Sequence, residues 1–381
     1  MRLARVSHVF YPDFIGNKDP FYSLRISMLQ AEMGMDIEVY TWNKSGLKPR
    51  EKLREGLVVN RLRGINLAFG GLLDDYPYLP ALPGELRRSG FDVLHAHSHL
   101  FITTLQAVRT AERLGRPSVI TIHGFSVKRN WLVDAVQASY IMTFGSWVLR
   151  HATRIVCLTK SDAKRAEALG CPRERIRVVP NPVDTNIFRP RDDLREGVRH
   201  HRIVWVGRFV PEKALECLVL AFKLLVDGAT DVKLVLVGDG PTRGRISALV
   251  RKLGLSSHVS FTGPLSMEGV AEQLAKSSIF VLSSVVEGLP KALLEAMAAG
   301  KPVVVPDLPS LREVVEPGLN GLLFKPGDHE ALAGALRMLL DDQALLMKMG
   351  AASRRMAVER YGFDGVVRQL NLVYEEALEE A

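Results

Sequence analysis

The chain has 381 residues, of which 47% are hydrophobic and 24% are charged, and its formal net charge is +8. These values are typical of a globular protein with two domains. No run approaches the roughly 20 apolar residues that a membrane helix needs, and the N-terminus lacks the layout of a signal peptide. The three cysteines are odd in number and show no C-x-x-C spacing, so we expect a protein of the reducing cytoplasm.

The first half of the chain alternates short apolar runs with longer amphipathic stretches. The apolar runs, which we interpret as strands, span residues 5–10, 36–41, 93–97, 118–123 and 154–159. Helical patterns lie between several of them, for example at residues 21–33 and 101–114. This order indicates βα repetition and hence a parallel sheet that helices cover on both faces.

A second series of the same kind follows Pro180. Its strands are expected at residues 202–207, 233–238, 259–262, 279–283 and 302–306, and its helices at 215–226, 242–253, 266–275 and 291–299. A stiff proline-rich segment and then a charged stretch separate the two series, so we place the domain boundary between residues 185 and 186. Ligands of open α/β sheets bind beyond the carboxyl ends of the strands, so we expect the site in a cleft between two facing domains.

Two carboxylates flank a predicted helix start in the second half. Glu287 falls in the loop after a strand, Pro290 suits the first turn of the next helix, and Glu295 falls in its second turn. The amides of a helix start attract phosphate, and a carboxylate on either side can accept hydrogen bonds from sugar hydroxyls. Taken alone, Glu295 is equally consistent with a residue on the helix surface.

The run that starts at Glu287 reads E-G-L-P-K-A-L-L-E-A-M-A-A-G-K-P-V-V, and it resembles the E-x(7)-E motif of the family-four (group 1) retaining glycosyltransferases. The resemblance implies the α/β GT-B fold, with two doubly wound Rossmann-like domains. Residues 1–185 with 362–381 would form the acceptor domain, to which the last helix crosses back, and residues 186–361 the donor domain. Glu295 would bind the ribose of a nucleotide-diphosphate sugar, and Glu287, with Leu289, Pro290 and Lys291, would hold the transferred sugar.

A second motif follows the strand predicted at 202–207. Gly207 leaves room for a ligand, and Arg208 and Lys213 place two positive charges in one loop. A leaving diphosphate needs such charges because negative charge builds on it as the glycosidic bond breaks, although a solvated charged loop is the alternative. The segment resembles the family's V-G-R-L-x-x-E-K-G, except that Ala214 stands at the last glycine. That change costs little if φ at this residue is negative.

Three further loops are interpreted through the same resemblance. The segment Gly238-Asp239-Gly240 has the wrong glycine spacing for a dinucleotide fingerprint, and it looks like the family's G-D-G-P turn near the donor. The segment Gly263-Pro264-Leu265 is similar to the loop that frames the base. The loop after the first strand keeps Gly16 but has Asn17 where the family usually has a second glycine for the approach of the diphosphate. Asparagine tolerates left-handed backbone angles better than most residues.

Histidines gather at two predicted strand ends of the first half. The resemblance makes His123 the family's histidine near the anomeric carbon, where a neutral imidazole orients the sugar or the acceptor, and a purely structural histidine is the alternative. His95, His97 and His99 would share one strand face by the period of two, and His97 is a candidate for the acceptor side. Imidazole suits zinc, but no carboxylate or cysteine pattern accompanies these residues, so we expect no metal site.

The function implied by the resemblance is the transfer of a sugar from a nucleotide-diphosphate sugar to an acceptor hydroxyl, with retention. The acceptor would attack on the face from which the diphosphate leaves, while Glu287 and His123 hold the sugar. Arg208 and Lys213 would take the place of a metal ion, and no cofactor is expected. The alternatives are an epimerase or phosphorylase on the same fold, and a non-catalytic subunit that binds a nucleotide sugar.

The positive charge is concentrated in residues 1–185, which hold 26 Lys and Arg against 17 Asp and Glu. Region 124–147 in this half is rich in aromatic residues. We therefore expect peripheral contact with an anionic membrane at its inner face, and a glycan, lipid-linked or small-molecule acceptor. The alternative is a basic surface that serves solubility over ordinary core aromatics. No nucleic-acid-binding module is recognisable, so nucleic acid is not expected as a partner.

Overall fold

The computed structural model describes residues 1–12, 21–67, 76–125, 131–191, 201–228 and 231–380. Its contacts divide the chain into two compact units, the first formed by Met1–Pro180 with Val366–Ala381 and the second by Asn181–Gly365. The sequence-based division lies slightly further along at the first junction, at 185/186, and slightly earlier at the second, at 361/362. The expectation of a binding cleft between two facing domains stays a prediction.

The first unit is built on an eight-stranded sheet. Its strands are β1 (Arg2–Val6), β2 (Asp36–Trp42), β3 (Arg50–Arg54), β4 (Leu57–Leu62), β7 (Val93–His97), β8 (Ser118–Ile122), β9 (Arg154–Cys157) and β10 (Ile176–Val178), and a separate pair is β5 (Ile65–Asn66) with β6 (Pro77–Tyr78). Its helices before the junction are α1 (Phe21–Glu32), α2 (Leu82–Ser89), α3 (Ile102–Arg113), α4 (Trp131–Tyr140), α5 (Ser146–His151) and α6 (Lys160–Ala168). The strand order is β10-β9-β8-β7-β1-β2-β4-β3, parallel throughout except for the hairpin of β3 and β4.

The first strand is shorter at its carboxyl end than the sequence suggests. It ends at Val6, whereas the apolar run predicted a strand over residues 5–10. The hydroxyl of Ser7 donates a hydrogen bond to the carbonyl of Val9 at 2.6 Å. Such local serine bonds favour turns over strands, so the chain leaves the sheet at this residue.

Alternate residues of these strands bury themselves on the two faces of the sheet, as the strand period of two requires. Ala4 and Tyr40 belong to a core cluster on one face, together with residues of α2, α3 and α6. Leu3 and Val39 belong to a cluster on the other face, together with residues from the end of the chain. Helices thus cover both faces, as the unbroken apolar runs of the strands indicate.

The second unit has a six-stranded, entirely parallel sheet. Its strands are β11 (His201–Val206), β12 (Val232–Val237), β13 (Val259–Gly263), β14 (Ile279–Val281), β15 (Val303–Pro306) and β16 (Gly321–Phe324). Its helices are α7 (Leu215–Asp227), α8 (Arg243–Lys252), α9 (Met267–Ala275), α10 (Lys291–Ala298), α11 (His329–Asp341) and α12 (Gln343–Tyr361). In the order β13-β12-β11-β14-β15-β16, successive strands are added on one side up to β13 and on the other side from β14 onward. β11 and β14 are therefore parallel neighbours, and the loops that follow them lie at the same end of the sheet.

The last helix, α13 (Phe363–Glu379), returns the chain to the first unit from Val366 onward. Val366, Leu370 and Val373 join the core cluster on one face of the first sheet. Near its end, Glu376 accepts hydrogen bonds from Arg154 at 3.3 Å and from Arg177 at 2.6 Å. The helix is therefore part of the first unit through apolar packing and ion pairs. Within the described ranges, no helix combines the length and the apolar character required to cross a membrane.

Candidate functional site

Lys213 and Glu287 form an ion pair at the shared end of β11 and β14. The ammonium of Lys213 lies 2.5 Å from Oε1 of Glu287, and only 7% of the Glu287 side chain is exposed. The hydroxyl of Ser284 donates to the same carboxylate oxygen at 2.6 Å. The backbone is joined as well, since the hydroxyl of Ser283 donates to the carbonyl of Lys213 at 2.8 Å. The two loops are therefore held as one structural element.

Arg208 lies in the loop that leads from β11 to Lys213, and its residue is half-buried. Within the part of the chain that the structure describes, its guanidinium makes no hydrogen bond or ion pair. The loop itself is fixed, because the amide of Phe209 donates to the carbonyl of Asp239 at 2.8 Å and the carbonyl of Phe209 accepts from the amide of Thr242 at 3.1 Å. A half-buried guanidinium on a fixed loop, without a partner among the described residues, is suited to binding an external anion.

The glycines of the Gly238-Asp239-Gly240 turn permit close backbone packing. A Cβ at Gly238, where φ is 121°, would lie 1.9 Å from the carbonyl oxygen of Gly207. Gly207 itself borders the ring of Trp205, which a Cβ there would approach to 3.0 Å, so its small size serves packing within the unit. The amide of Gly238 also donates to the carbonyl of Gly263 at 2.9 Å. These contacts join the ends of β11, β12 and β13.

Gly263 begins the loop that the sequence assigns to the base of the donor. Its φ is 75°, and a Cβ there would meet open space. Pro264 and Leu265 are exposed at the surface that follows. Ser266 then caps α9, because its hydroxyl accepts a hydrogen bond from the amide of Gly269 at 3.2 Å. The loop therefore ends in a defined helix start and leaves two side chains of its turn accessible.

The start of α10 follows Glu287 closely. The sequence suggested that Pro290 lies in the first turn. In the structure Pro290 is the N-cap with an extended backbone, and the helix begins at Lys291. Leu289 is buried, and its carbonyl accepts a hydrogen bond from the side-chain amide of Asn181 at 3.0 Å. Glu295, in the second turn, is 9% exposed, which contradicts the alternative of a surface residue.

Ala214 corrects an expectation about the Lys213 loop. Its φ is 44° and its ψ is 46°, which is the left-handed conformation, whereas a negative φ was the condition for a low cost. A methyl side chain in this conformation costs about 1–2 kcal/mol. The residue lies between the short 3₁₀ turn Pro211–Lys213 and α7, so strain is stored next to the lysine of the site.

In the first unit, the structure brings two of the predicted histidines together. Nδ1 of His97 lies 3.1 Å from Nε2 of His123, and the rings stack with their centroids 5.4 Å apart. His97 ends β7 and His123 follows β8, so the pair occupies the carboxyl ends of neighbouring strands. His123 is exposed and His97 is half-buried. The pair is therefore accessible to a ligand at the edge where parallel sheets bind their ligands.

The prediction of three histidines on one strand face is wrong for His99. The strand ends at His97, and Ser98 has a φ of 65°, which breaks the alternation. His95 and His97 do share a face, with ring centroids 4.5 Å apart. His99 is instead fully buried and packs against Phe125 at 5.1 Å. Among the residues described, no three His, Cys, Asp or Glu side chains are arranged to hold a metal ion.

These histidines are neutral near pH 7. Burial holds the pKa of His95 well below its ordinary value of 6.5, and the positive charge of Arg5 acts in the same direction. Burial likewise lowers the pKa of His97, with the neighbouring His95 and His123 adding to the effect. Burial alone lowers the pKa of His99 to about 4. Neutral imidazoles offer both a donor and an acceptor to a hydroxyl ligand.

Two predicted site residues fall outside the residues that the structure describes, and three residues that support the candidate sites were not predicted. Gly16 and Asn17 fall outside the described residues. Asn181 and Ser284 support the segment from Glu287 to Leu289, but the sequence marks the first only as part of a turn. Tyr374 contacts His95 from 279 positions away, and no local pattern signals such a contact.

The chain is similar to known proteins over its whole length. It matches the family model Glycosyltransferase Family 4 over residues 22–187 and the model Glycosyl transferases group 1 over residues 189–356. Over 393 residues it is 32% identical to the MMP alpha-(1->4)-mannosyltransferase of Mycolicibacterium hassiacum, with 99% of this chain and 86% of that protein covered.

Two solved structures share its fold. Sucrose-phosphate synthase from Thermosynechococcus elongatus superimposes with a TM-score of 0.83 at 19% identity, with 100% of both chains covered. Anabaena HepE, solved in complex with UDP-glucose, superimposes with a TM-score of 0.76 at 18% identity, again with 100% of both chains covered. At these identities the likeness concerns the fold.

Proposed function

The chain belongs to the group 1 glycosyltransferases of family 4 and has their GT-B fold, and on that premise we propose that it transfers a sugar, with retention at the anomeric carbon, from a nucleotide-diphosphate sugar to an acceptor hydroxyl. The observation that carries the proposal is the arrangement at the ends of β11 and β14. There, the Lys213–Glu287 ion pair lies in the same loop system as Arg208, whose guanidinium has no partner within the described chain. The start of α10 follows directly.

The donor binds in the second unit. Its diphosphate pairs with the positive charges of Arg208 and Lys213. It also accepts hydrogen bonds from the amides at the start of α10, since helix starts favour anions. Glu295 accepts hydrogen bonds from the ribose hydroxyls. The carboxylate of Glu287, already oriented by Lys213 and Ser284, accepts from hydroxyls of the transferred sugar. The exposed side chains of the 263–265 loop border the base.

The reaction breaks the bond between the anomeric carbon and the phosphate oxygen. The acceptor oxygen forms its bond to the same carbon on the same face, and its proton passes to the departing phosphate oxygen. The diphosphate gains negative charge as it leaves, and Arg208 and Lys213 stabilise that charge. Two fixed cations can supply what a divalent metal supplies elsewhere, so we propose catalysis without a metal or cofactor. His97 and His123, both hydrogen-bonding groups of the first unit, orient the acceptor or the sugar.

Product analysis tests this proposal. The protein is incubated with UDP-, GDP- and ADP-linked sugars and a panel of sugar, polyol and lipid acceptors, with and without a chelator. We expect release of one nucleoside diphosphate, a product whose anomeric coupling constant in proton NMR matches that of the donor, and an unchanged rate with chelator. An inverted product contradicts retention. A new nucleotide-sugar isomer indicates an epimerase, and a sugar phosphate formed with orthophosphate indicates a phosphorylase.

We also propose that the first unit touches an anionic membrane, which would place a cytoplasmic enzyme at the inner face. Between Ala135 and Gly145 the chain carries no charged residue. Val136, Met142 and Phe144 are nevertheless 55%, 71% and 49% exposed, which is unusual for a solvated helix face. Basic side chains lie near the segment that follows: Arg109 lies 5.3 Å from the ring of Trp147, and Arg150 is exposed. An exposed uncharged segment followed by basic residues fits a bilayer with negative headgroups.

Vesicle sedimentation tests the membrane contact. We expect binding to phosphatidylglycerol vesicles at low salt, weaker binding to phosphatidylcholine vesicles, and loss of binding in the double variant Met142→Ser with Phe144→Ser. Met338→Ser is the matched control, because Met338 is 55% exposed on α11 of the other unit. Absence of binding at low salt, or equal loss in the control, rejects the contact.

A further inference from the structure

A chain of hydrogen bonds crosses the interior of the first unit beneath the histidine pair. A guanidinium nitrogen of Arg5 on β1 donates to the hydroxyl oxygen of Tyr374 on α13, at 3.3 Å. The Tyr374 oxygen lies 2.7 Å from Nδ1 of His95 on β7. Nε2 of His95 lies 2.8 Å from the hydroxyl oxygen of Thr121 on β8. None of the four residues is more than 6% exposed, so this series of hydrogen bonds is closed to solvent.

The order of donors in these hydrogen bonds favours one position for the imidazole proton of His95. A guanidinium can only donate, so the Tyr374 oxygen accepts from Arg5. The single hydroxyl proton of Tyr374 is then available for Nδ1 of His95, and the ring accepts it when Nδ1 is unprotonated. The proton of the neutral ring therefore lies on Nε2, which donates to Thr121.

Arg5 favours the neutral form of the His95 ring. It is 1% exposed, and within the described chain its hydrogen-bond partners are neutral: Ser27, Gln30 and Tyr374. A buried cation without a carboxylate opposes any second charge in its surroundings. His95 shares the Tyr374 hydroxyl with this cation, so a doubly protonated imidazolium is disfavoured at that position.

His95 in turn supports the pair of histidines at the sheet edge. Its ring contacts that of His97 at a centroid distance of 4.5 Å. The backbone carbonyl of Thr121, whose hydroxyl contacts His95, accepts a hydrogen bond from the backbone amide of Ser98 at 2.8 Å. Ser98 follows His97, and His123 lies two residues after Thr121. A rotation of the His95 ring would therefore disturb both strand ends that carry the His97–His123 contact.

We propose that Tyr374 is a positioning residue: its hydroxyl holds His95 as the Nε2–H tautomer and thereby fixes the ring of His97 and its contact with His123. The proposal rests on the proposed function, in which that pair orients the acceptor or the sugar. Through Tyr374, the C-terminal helix completes the acceptor side of the enzyme from 279 positions away in the chain. Removal of the Tyr374 hydroxyl affects turnover and leaves the binding of the donor in the second unit unchanged.

The test uses the full chain labelled with ¹⁵N-histidine, and the His95 resonance is assigned by its loss in His95→Gln. Long-range proton–nitrogen NMR should show the His95 proton on Nε2 in the wild-type protein. In Tyr374→Phe we expect a second population with the proton on Nδ1. The kcat for transfer should fall about 2- to 10-fold, the loss of one buried hydrogen bond, with the donor KM unchanged. Tyr40→Phe is the matched control, since Tyr40 is equally buried in this unit but its hydroxyl contacts Glu38.

Several results would overturn the proposal. These are a wild-type proton on Nδ1, an unchanged tautomer in Tyr374→Phe, and an unchanged kcat despite a changed tautomer. If Tyr374→Phe does not fold, Thr121→Val interrupts the same chain on the other side of His95 and should lower kcat in the same way. A wild-type protein without any transfer activity rejects the proposed function itself. The NMR result separates that failure from a wrong tautomer.

Discussion

The ammonium of Lys213 and the carboxylate of Glu287 are 2.5 Å apart although 74 positions separate them in the chain. Each residue follows one of two adjacent strands, β11 and β14, so the sheet topology creates the contact. The pair neutralises itself within the second unit, whereas the guanidinium of Arg208 in the same loop has no partner among the described residues. Under the proposed function, the diphosphate of the donor meets one cation without an internal partner and one cation that it shares with Glu287.

The first prediction concerns this pair. Lys213→Met removes a cation that stabilises developing charge, and Glu287→Gln removes the charged acceptor for hydroxyls of the transferred sugar. Each should lower kcat/KM by on the order of 10²–10³. Because the residues are in contact, the double variant should lose clearly less than the product of the two single losses. Steady-state kinetics of the four proteins measures this. Lys223→Met, which breaks the exposed pair with Asp227 on α7, is the control and should retain full activity. Multiplicative losses would show that the two residues act independently.

Close packing at the strand ends makes a second prediction. Gly238→Ala should weaken donor binding strongly and destabilise the protein by at least about 2 kcal/mol, because its Cβ would meet the Gly207 carbonyl at 1.9 Å. Gly263→Ala is the matched variant, since its φ of 75° is also left-handed but its Cβ would face open space. Its cost should stay near 1–2 kcal/mol, from backbone strain alone. Urea unfolding and nucleotide titration compare the two, and equal effects would refute the packing role of Gly238.

The strain at Ala214 can be relieved. With φ at 44°, Ala214→Gly should raise the free energy of unfolding by up to about 1 kcal/mol, because glycine has no steric penalty in this conformation. Ala248→Gly, an exposed position inside α8, should change stability in the opposite direction by about 0.5–1 kcal/mol. Chemical unfolding of both variants checks the signs. A destabilised Ala214→Gly would contradict the strain.

The buried His99 makes stability depend on pH. Its pKa is about 4 in the folded protein and near 6.5 when unfolded, so the unfolded state binds more protons between these values and stability falls as the pH falls. At pH 5 this one residue should cost about 2 kcal/mol relative to pH 7.5. His99→Leu removes two ring nitrogens that have no partner among the described residues, so that much of the loss should disappear. Urea unfolding at the two pH values measures it, and an identical pH dependence in the variant would rule out His99 as a source.

The sequence predicts the order of strands and helices well where the elements are apolar and regular. Strands such as Val303–Pro306 are buried on both faces, and their β-branched runs identify them without knowledge of their neighbours. The hairpin of β3 and β4 was not predicted, because Arg50–Arg54 is charged and only partly buried at a sheet edge. The early end of β1 depends on one serine hydroxyl, which a hydrophobic pattern does not register.

The candidate site is predictable in its members and less so in its contacts. The motif spacing correctly marks Glu287 and Glu295 as residues around a helix start. It assigns Lys213 and Glu287 to different parts of the ligand, however, and the contact between them depends on strand order. Ala214 takes its left-handed backbone from the turn that precedes α7, against its own preference. Tyr374 and His95 meet only because the last helix returns to the first sheet.

Nucleotide binding tests the assignment of the donor site most directly. Isothermal titration calorimetry is performed with the nucleoside diphosphate released by the wild-type enzyme, or with UDP, GDP and ADP in turn. We expect one of them to bind the wild-type protein. Its affinity should fall about 10- to 100-fold in Glu295→Ala, which loses the charged acceptor for the ribose hydroxyls. Glu330→Ala, an exposed glutamate in the first turn of α11, should bind like the wild type. Full affinity in Glu295→Ala, or no binding of any of the three nucleotides to the wild-type protein, would contradict a donor site at the start of α10.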